Sequence, residues 1–303
     1  MKLPHPIPYQ GSKRNLADRI LRFFPDEFHR LIEPFAGSAA ISVASAYYYK
    51  ANKFVINDIN QPLVSLWDEI INNPAQIIKK YYDIWNEQLG NEEEYYYHIR
   101  TKFNETKQPA YLLFLLAKCV KAAVRYNTNG EFNQSPDKRR LGRNPQMMRE
   151  DILRVSHLLK NKVELYSTDY TNILEKATEY DLIYMDPPYQ GTGVNGGFNY
   201  AGNIDFDDFI ISLYKLNKEN IPFILSFDGR TENKTYGRPL PKELNLTKIE
   251  INAGRSTQAT LLSRNEYTYE AIYLSPVLLQ KIDISAPRVS KKTIQTELFE
   301  IYA

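Results

Sequence analysis

The sequence lacks the features of secreted and membrane-spanning proteins. Cys119 is the only cysteine, so no internal disulfide can form and a reducing compartment is expected. No apolar run approaches the roughly 20 residues that a bilayer-crossing helix needs. The N-terminus also lacks the charged segment and apolar stretch that are typical of a signal peptide. We therefore expect a cytoplasmic protein that makes no contact with a membrane.

An excess of charge of either sign is also missing, because 38 basic residues face 36 acidic ones. Net charge therefore does not indicate a nucleic-acid partner, and the distribution of charge carries more information. Residues 138–149, here called the basic loop, contain Lys138, Arg139, Arg140, Arg143 and Arg149. Such a loop suits contact with phosphates, and a solvated surface explains it equally well.

Phosphate-binding glycine motifs are absent. Residues 11–13, Gly-Ser-Lys, lack both the first glycine and the final hydroxyl residue of a nucleotide phosphate loop. The turn after the first predicted strand lacks the Gly-x-Gly-x-x-Gly pattern that accommodates a dinucleotide pyrophosphate. The four histidines are scattered without the spacing of metal ligands, so we expect no bound metal.

What the sequence does contain is a regular alternation of short apolar runs and helical periods. The runs of strand length cover residues 30–33, 53–58, 162–167, 181–185 and 221–227. The helical periods cover residues 39–50, 170–177 and 206–219. This α/β alternation predicts a mostly parallel sheet with helices on both faces. Two further runs, at 247–252 and 267–274, have no helix between them and predict an antiparallel C-terminal strand pair.

The alternation stops between the second and third predicted strands. Helical periods there cover residues 62–72, 74–89, 92–106 and 109–126, and a polar loop follows at 127–144. We interpret residues 61–159 as a helical domain inserted into an α/β domain. That α/β domain comprises residues 1–60 and 160–280, and residues 281–303 form a C-terminal tail.

Four marked residues follow predicted strands, namely Gly37, Asp58, Asp169 and Asp186. Ligands of open parallel sheets bind outside the carboxyl ends of the strands. Gly37 allows a ligand to approach the backbone, Asp58 can accept both hydroxyls of a ribose, and Asp169 can accept from an adenine amino group. An acid after a strand is, taken alone, also typical of a turn or a helix cap. Together, and without a phosphate-binding motif, the four favour S-adenosylmethionine as the cofactor.

The segment Asp186-Pro187-Pro188-Tyr189 is the most informative one in the chain. It follows the predicted buried strand at residues 181–185. An acid, two prolines and an aromatic ring at such a strand end can hold a flat ring that carries an amino group. They can stack on that ring and accept hydrogen bonds from its NH2 group.

These motifs resemble those of the Dam-type DNA adenine methyltransferases of the α order, and the resemblance covers most of the chain. Residues 8–13 are similar to the family's aromatic-x-Gly-x-Lys motif, 34–39 to its cofactor turn, and 186–189 to its catalytic motif. Residues 125–127 and 130–133 resemble a signature of its target-recognition region. The resemblance implies a Rossmann-like methyltransferase sheet that uses S-adenosylmethionine. It also implies methyl transfer to N6 of an adenine flipped out of double-stranded DNA.

The resemblance implies roles for individual residues. The residues that would contact or line the cofactor are Tyr9, Lys13, Phe35, Gly37, Asp58, Asp169 and Asp186. The catalytic residues would be Asp186, Pro187 and Tyr189, with Tyr189 stacked on the target base. The DNA contacts would come from Arg125, Tyr126, Asn127 and Asn133, and the helical insertion would be the target-recognition domain. The family pattern does not extend to residues 134–149, but in this context the basic residues Lys138, Arg139, Arg140 and Arg143 are also expected to contact DNA. Ala39 departs from the pattern, since the family usually has a second glycine there.

Two other functions stay open. Methylation of the cytosine N4 amino group is the nearest alternative, because a similar motif handles either amine; the aspartate at position 186 favours adenine. A non-catalytic module that binds the cofactor or DNA is the other alternative, and the intact motif at 186–189 argues against it. A restriction endonuclease that acts on the same DNA site is a candidate partner.

Overall fold

The computed structural model describes residues 2–188, 204–227, 230–231, 234–235, 238–255 and 267–283. The predicted role of Tyr189 and the predicted tail from residue 284 onward lie outside the described residues.

A mixed sheet forms the centre of the fold. Its strands are β1 (Leu31–Glu33), β2 (Phe54–Asn57), β3 (Val163–Tyr166), β4 (Leu182–Met185), β5 (Phe223–Ser226), β6 (Arg230–Thr231), β7 (Lys234–Thr235), β8 (Thr247–Arg255) and β9 (Tyr267–Leu274). The first five are parallel and lie in the order β3-β2-β1-β4-β5. Strand β9 runs antiparallel to β5 and pairs also with β8 and β6. The predicted parallel sheet with an antiparallel C-terminal pair is thus confirmed.

Helices cover both faces of the sheet. They are α1 (Ala17–Ile20), α2 (Ala40–Tyr47), α3 (Gln61–Asn72), α4 (Pro74–Glu87), α5 (Glu92–Thr106), α6 (Pro109–Lys118), α7 (Pro145–Leu159), α8 (Tyr170–Leu174), α9 (Phe206–Lys218) and α10 (Pro276–Lys281). Successive strand residues point to opposite faces, so Leu182 and Tyr184 join one core cluster while Ile183 and Met185 join the other. None of the described helices is long and apolar enough to cross a membrane.

Local sequence explains where several helices begin. Helices α3, α4, α6 and α7 each carry a proline in the first two positions, where its missing N–H costs no hydrogen bond. The Asn144 side chain accepts hydrogen bonds from two backbone N–H groups at the start of α7. Asp205 does the same at the start of α9.

The helices α3–α7 share their core with one face of the sheet. Trp67 of α3 and Leu115 of α6 belong to the same buried cluster as Leu31 and Ile56 of the sheet. The predicted run of helices after β2 is therefore present and closely joined to the α/β part. The division into domains at residues 61 and 159 stays a prediction.

The predicted helix at 109–126 is wrong at its end. Helix α6 stops at Lys118, because Cys119 is extended and Lys121 and Ala122 have the positive φ angles 59° and 51°. The chain then forms a short irregular hairpin that is closed by a β-bridge between Tyr126 and Phe132. Cys119 is buried, and burial raises the pKa of its thiol to about 12.

Candidate active site

A cavity of about 1170 Å³ opens at the carboxyl ends of the parallel strands. Residues that follow β1, β2, β3 and β4 all contribute to its lining, as expected for ligand binding in an open parallel sheet. The segment before α1 and the hairpin after α6 close its sides. It is lined by predicted site residues Tyr9, Lys13, Phe35, Gly37, Asp58, Arg125, Tyr126, Asn133, Asp169, Asp186 and Pro187.

The turn after β1 is held from three sides at Gly37. Its N–H donates to Asp58 Oδ2 at 2.9 Å, and its carbonyl accepts from Trp67 Nε1 at 3.0 Å. Gly37 has a φ angle of 50°, and a Cβ there would lie 3.0 Å from the Tyr9 ring. A larger residue would therefore strain the backbone and displace the Tyr9 ring. The close approach that glycine permits is made by Tyr9.

Ala39, where the resemblance leads one to expect glycine, is fully buried with a φ angle of 42°. This left-handed conformation costs an alanine about 1–2 kcal/mol. Its neighbours Ser38 and Ala40 line the cavity and Ala39 does not. Alanine in place of glycine at position 39 thus strains the turn and does not narrow the cavity.

Three charged side chains meet at the end of β4. Lys13 Nζ lies 2.7 and 2.8 Å from the two carboxylate oxygens of Asp186. The same nitrogen lies 3.3 Å from Glu270 Oε1. Lys13 is only 7% exposed, so its charge is compensated inside the protein. This group, here called the Lys13 cluster, joins three distant parts of the chain.

Burial and neighbouring charges shift the pKa values in the cavity. Burial, together with the charge of Glu270, raises the pKa of Asp186 to about 6, although Lys13 opposes the rise. Burial raises the pKa of Glu33 to about 7, against hydrogen bonds from Ser42 and Ile41. Burial alone would lower the pKa of Lys13, but Asp186 and Glu270 raise it above its usual value. Burial also raises the pKa of Asp58.

Asp58, which follows β2, and Asp169, which follows β3, both line the cavity. Asp58 accepts hydrogen bonds from the backbone of Gly37 and Asn60. Asp169 caps α8 by accepting from Thr171. Between them, the Phe35 and Tyr170 rings lie 5.0 Å apart between centroids, and the half-exposed Ile59 adds an apolar surface.

The hairpin residues differ in how they face the cavity. Arg125 and Asn133 are exposed and line it. Tyr126 is buried, and its hydroxyl donates to Asn60 Oδ1 at 3.3 Å, so a direct contact with a duplex needs a change of conformation. The Asn127 side chain stabilises the hairpin by accepting from two backbone N–H groups, those of Asn129 and Glu131.

The basic loop is less free than its sequence indicates. Arg143 is largely buried, donates to the carbonyl of His5 at 3.0 Å, and pairs with Asp151 at 2.5 Å. Lys138 pairs with Glu93, while Arg139 and Arg140 share Asp137. Arg139 and Arg140 are 85% and 62% exposed, so they can reach an outside partner. The burial of Arg143 argues against its predicted contact with DNA, because its guanidinium already holds two parts of the chain together.

Sequence reasoning missed several residues of this site. Glu33 ends β1 and Ile59 follows Asp58, so the rule for strand ends applies to both. Glu270 belongs to the antiparallel strand β9, to which that rule does not apply. Among the described residues, no group of three or more His, Cys, Asp or Glu side chains could hold a metal ion.

The fold and the cavity define a class of protein. The order β3-β2-β1-β4-β5 with β9 antiparallel beside β5 is a Rossmann-like sheet with its site at the strand ends. A family model described as D12 class N6 adenine-specific DNA methyltransferase matches residues 9–252. The chain belongs to this family. The predicted family, fold and enzyme class, an adenine-specific DNA methyltransferase, are thus confirmed.

Individual relatives agree with this assignment. The chain is 25% identical over 278 residues to the Type II methyltransferase M1.LlaDCHI of Lactococcus lactis subsp. cremoris, covering 86% of this chain and 91% of that protein. It is 29% identical over 265 residues to the Type II methyltransferase M.MjaIII of Methanocaldococcus jannaschii, with coverage of 80% and 89%. It is 31% identical over 206 residues to the DNA adenine methylase of Haemophilus influenzae, with coverage of 65% and 68%.

Proposed function

We propose that the enzyme transfers a methyl group from S-adenosylmethionine to the N6 amino group of an adenine flipped out of double-stranded DNA. The observation that carries this proposal is the Asp186 carboxylate. It is held by Lys13 at the end of β4 and lines a cavity that extends from Asp58 to the hairpin after α6.

The lining of the cavity fits the cofactor. It contains six carboxylate residues and two cationic ones, and a negative lining favours the sulfonium and the ammonium of S-adenosylmethionine. Asp58 would bind the ribose hydroxyls, and Phe35 and Ile59 would flank the adenine ring. Tyr9, Lys13, Gly37 and Asp169 would complete this half of the cavity. When bound, the cofactor supplies the methyl group as an electrophile.

Asp186 activates the target amine. The lone pair of an adenine amino nitrogen is delocalised into the ring, so the nitrogen is a poor nucleophile. If Asp186 and the backbone carbonyl of Pro187 each accept one amino hydrogen, the nitrogen becomes more tetrahedral and its lone pair is directed at the methyl group. Orientation and electrostatics supply most of the rate enhancement. The amino nitrogen loses one proton as it gains the methyl group, and Asp186 can take that proton.

The helical segment at residues 61–159 supplies the side that faces DNA. Arg125 and Asn133 line the mouth of the cavity, where they could contact the target strand. Arg139 and Arg140 are the exposed cations of the basic loop and suit phosphates or guanine edges. Tyr126 and Asn127 would reach the duplex only after the hairpin rearranges.

The Asp186→Ala variant tests the proposed function. Loss of the hydrogen-bond acceptor should lower incorporation of labelled methyl groups by about 100-fold or more, while DNA binding stays near that of the wild type. Asp207→Asn is the matched control, because Asp207 is exposed and does not line the cavity. Near-normal turnover of Asp186→Ala would contradict the proposal. Mass spectrometry of the treated DNA should find N6-methyladenine; N4-methylcytosine would contradict the assignment of the base.

We also propose that a restriction endonuclease acts on the same DNA site. Support comes from the relatives named Type II methyltransferases. Single-molecule sequencing of DNA from cells that express the enzyme should show one methylated sequence. That DNA should resist an endonuclease that cleaves this sequence, and cleavage of fully methylated sites would contradict the proposal.

A further inference from the structure

Strand β9 brings an acidic residue to the active edge of the sheet. The parallel strands end at this edge, whereas the antiparallel β9 begins there. Glu270 lies in the first half of β9 and is 8% exposed. The match to the family model ends at residue 252, so this strand lies beyond it.

Two contacts of the Glu270 side chain link it to the active site. Its Oε1 accepts a hydrogen bond from Ser226 Oγ at 2.7 Å. The same oxygen lies 3.3 Å from Lys13 Nζ, and both oxygens of Asp186 lie within 2.8 Å of that nitrogen. Lys13 and Asp186 line the cavity and Glu270 does not, so Glu270 acts on the site through Lys13 and does not touch the substrate.

We propose that Glu270 is a positioning residue for methyl transfer, which acts by sharing the Lys13 ammonium with Asp186 and so keeps Asp186 a strong acceptor for the target amine. This inference rests on the proposed function. Lys13 holds Asp186 in place. If Lys13 paired with Asp186 alone, its full positive charge would lower the basicity of the Asp186 carboxylate and weaken it as a hydrogen-bond and proton acceptor. A second carboxylate on the same ammonium keeps the geometry and restores the basicity.

The charged and titratable groups that act on Asp186 come from several elements. They are Tyr9 and Lys13 from the N-terminal segment, Glu33 from β1, Tyr184 from β4 and Glu270 from β9. Glu270 raises the pKa of Asp186, and Lys13 lowers it. Replacement of Glu270 by a neutral residue should therefore lower the pKa of Asp186.

The test compares Glu270→Gln with the wild type by two measurements. The first follows the Asp186 carboxyl in the free protein by 13C NMR, assigned with Asp186→Asn. The second records kcat for methyl transfer against pH. Glu270→Gln should titrate Asp186 at lower pH, move the acid limb of the kcat profile in the same direction, and reduce the plateau by about tenfold. Ser226→Ala, which removes the hydrogen bond to Glu270 and keeps its charge, should show smaller changes of the same sign.

Glu250→Gln is the control, because Glu250 lies on the neighbouring strand β8 and is partly exposed. It should change neither measurement. A lower kcat for Glu270→Gln with an unmoved Asp186 titration would overturn the inference in favour of a merely structural role, and so would unchanged kcat. If Glu270→Gln does not fold, Ser226→Ala decides by the same criteria. Absence of methyl transfer by the wild type would instead overturn the proposed function, and the NMR titration would still test the Lys13 cluster.

Discussion

Two cations of this enzyme, one buried and one partly buried, each hold a carboxylate, and their surroundings differ. Lys13 lies between Asp186 and Glu270 at the edge of the cavity. Arg143 pairs with Asp151 alone and also donates to the carbonyl of His5. We call the second group the Arg143 clamp. It joins the N-terminal segment to α7, and the Tyr81 hydroxyl of α4 donates to the Arg143 carbonyl at 2.7 Å.

The difference lies in the balance of charge. In the Arg143 clamp one cation meets one carboxylate and one backbone carbonyl, so its charge is matched by a single acid and its role is structural. In the Lys13 cluster one cation lies between two carboxylates, and one of them, Asp186, lines the cavity beside the proposed amine. A buried cation that is shared by two acids beside a cavity is thus a better indicator of chemistry than a single ion pair away from it.

Lys13→Met should produce the largest effect. It leaves Asp186 and Glu270 buried without their cation, which costs about 3–5 kcal/mol of unfolding free energy at pH 8. The loss should shrink at pH 5, because Asp186, whose pKa is raised to about 6, binds a proton in the folded state as the pH falls. Methyl transfer should fall by about 100-fold or more, since Asp186 loses its orientation. Urea unfolding at both pH values and labelled-methyl incorporation measure these effects. Wild-type turnover by Lys13→Met would contradict the catalytic role of the Lys13 cluster, and with it the contrast to the Arg143 clamp.

Arg143→Met should destabilise the fold and spare the chemistry. The expected loss is about 2 kcal/mol of unfolding free energy, below the usual cost of breaking a buried pair because Arg143 is 23% exposed. Turnover per folded molecule should stay near that of the wild type, since the clamp does not line the cavity. Urea unfolding and active-site titration with the cofactor measure the two quantities. A loss of kcat comparable to that of Lys13→Met would show that the clamp has a catalytic role.

The double variant Arg139→Ala with Arg140→Ala separates the exposed cations from the clamp. Each phosphate contact contributes about −0.9 to the slope of log binding constant against log salt. The double variant should therefore flatten that slope by up to about 2 and weaken binding at moderate salt by about tenfold. Arg143→Met should leave the slope unchanged. Fluorescence anisotropy with a DNA duplex across a salt series measures both, and an unchanged slope in the double variant would favour a solvated surface.

The smallest expected effect concerns backbone strain, which also differs between the two regions. Beside the cavity, an alanine (Ala39) has a positive φ angle of 42°. Beside the Arg143 clamp, the residue with a positive φ angle, 91°, is a glycine (Gly142). Ala39→Gly should therefore raise the unfolding free energy by about 1 kcal/mol, because glycine adopts this conformation without a penalty. Gly142→Ala should lower it by about the same amount or more. Thermal and urea unfolding measure both, and a destabilised Ala39→Gly would contradict the strain at this turn.

Much of the fold could be predicted from sequence because local pattern determines it. The apolar runs for β1 to β5 lie between polar turns, and each became a parallel strand within one or two residues of its predicted limits. The end of α6 could not be predicted in this way. The apolar pattern continues beyond Lys118, while the positive φ angles of Lys121 and Ala122 depend on the tertiary contacts of the hairpin.

The candidate site was predictable where it follows the ends of parallel strands. Asp58, Asp169 and Asp186 lie at such ends and line one cavity. Glu270 was not predicted because β9 is antiparallel to β5. The residues that β9 places at this edge of the sheet therefore come from the start of the strand and not from its end. Arg143 was predicted to contact DNA because a cluster of basic residues does not show which of them pairs with an acid of the same chain; Asp151 of α7 is that acid.

The position of β9 also has a consequence for biosynthesis. Lys13 is made before Asp186, and Asp186 before Glu270, yet all three meet at one point. A ribosome-bound chain that has not yet released β9 lacks both the Glu270 carboxylate and the strand that covers the edge of β5. Premature termination before β9, or proteolytic loss of β9, therefore yields a chain with an incomplete Lys13 cluster.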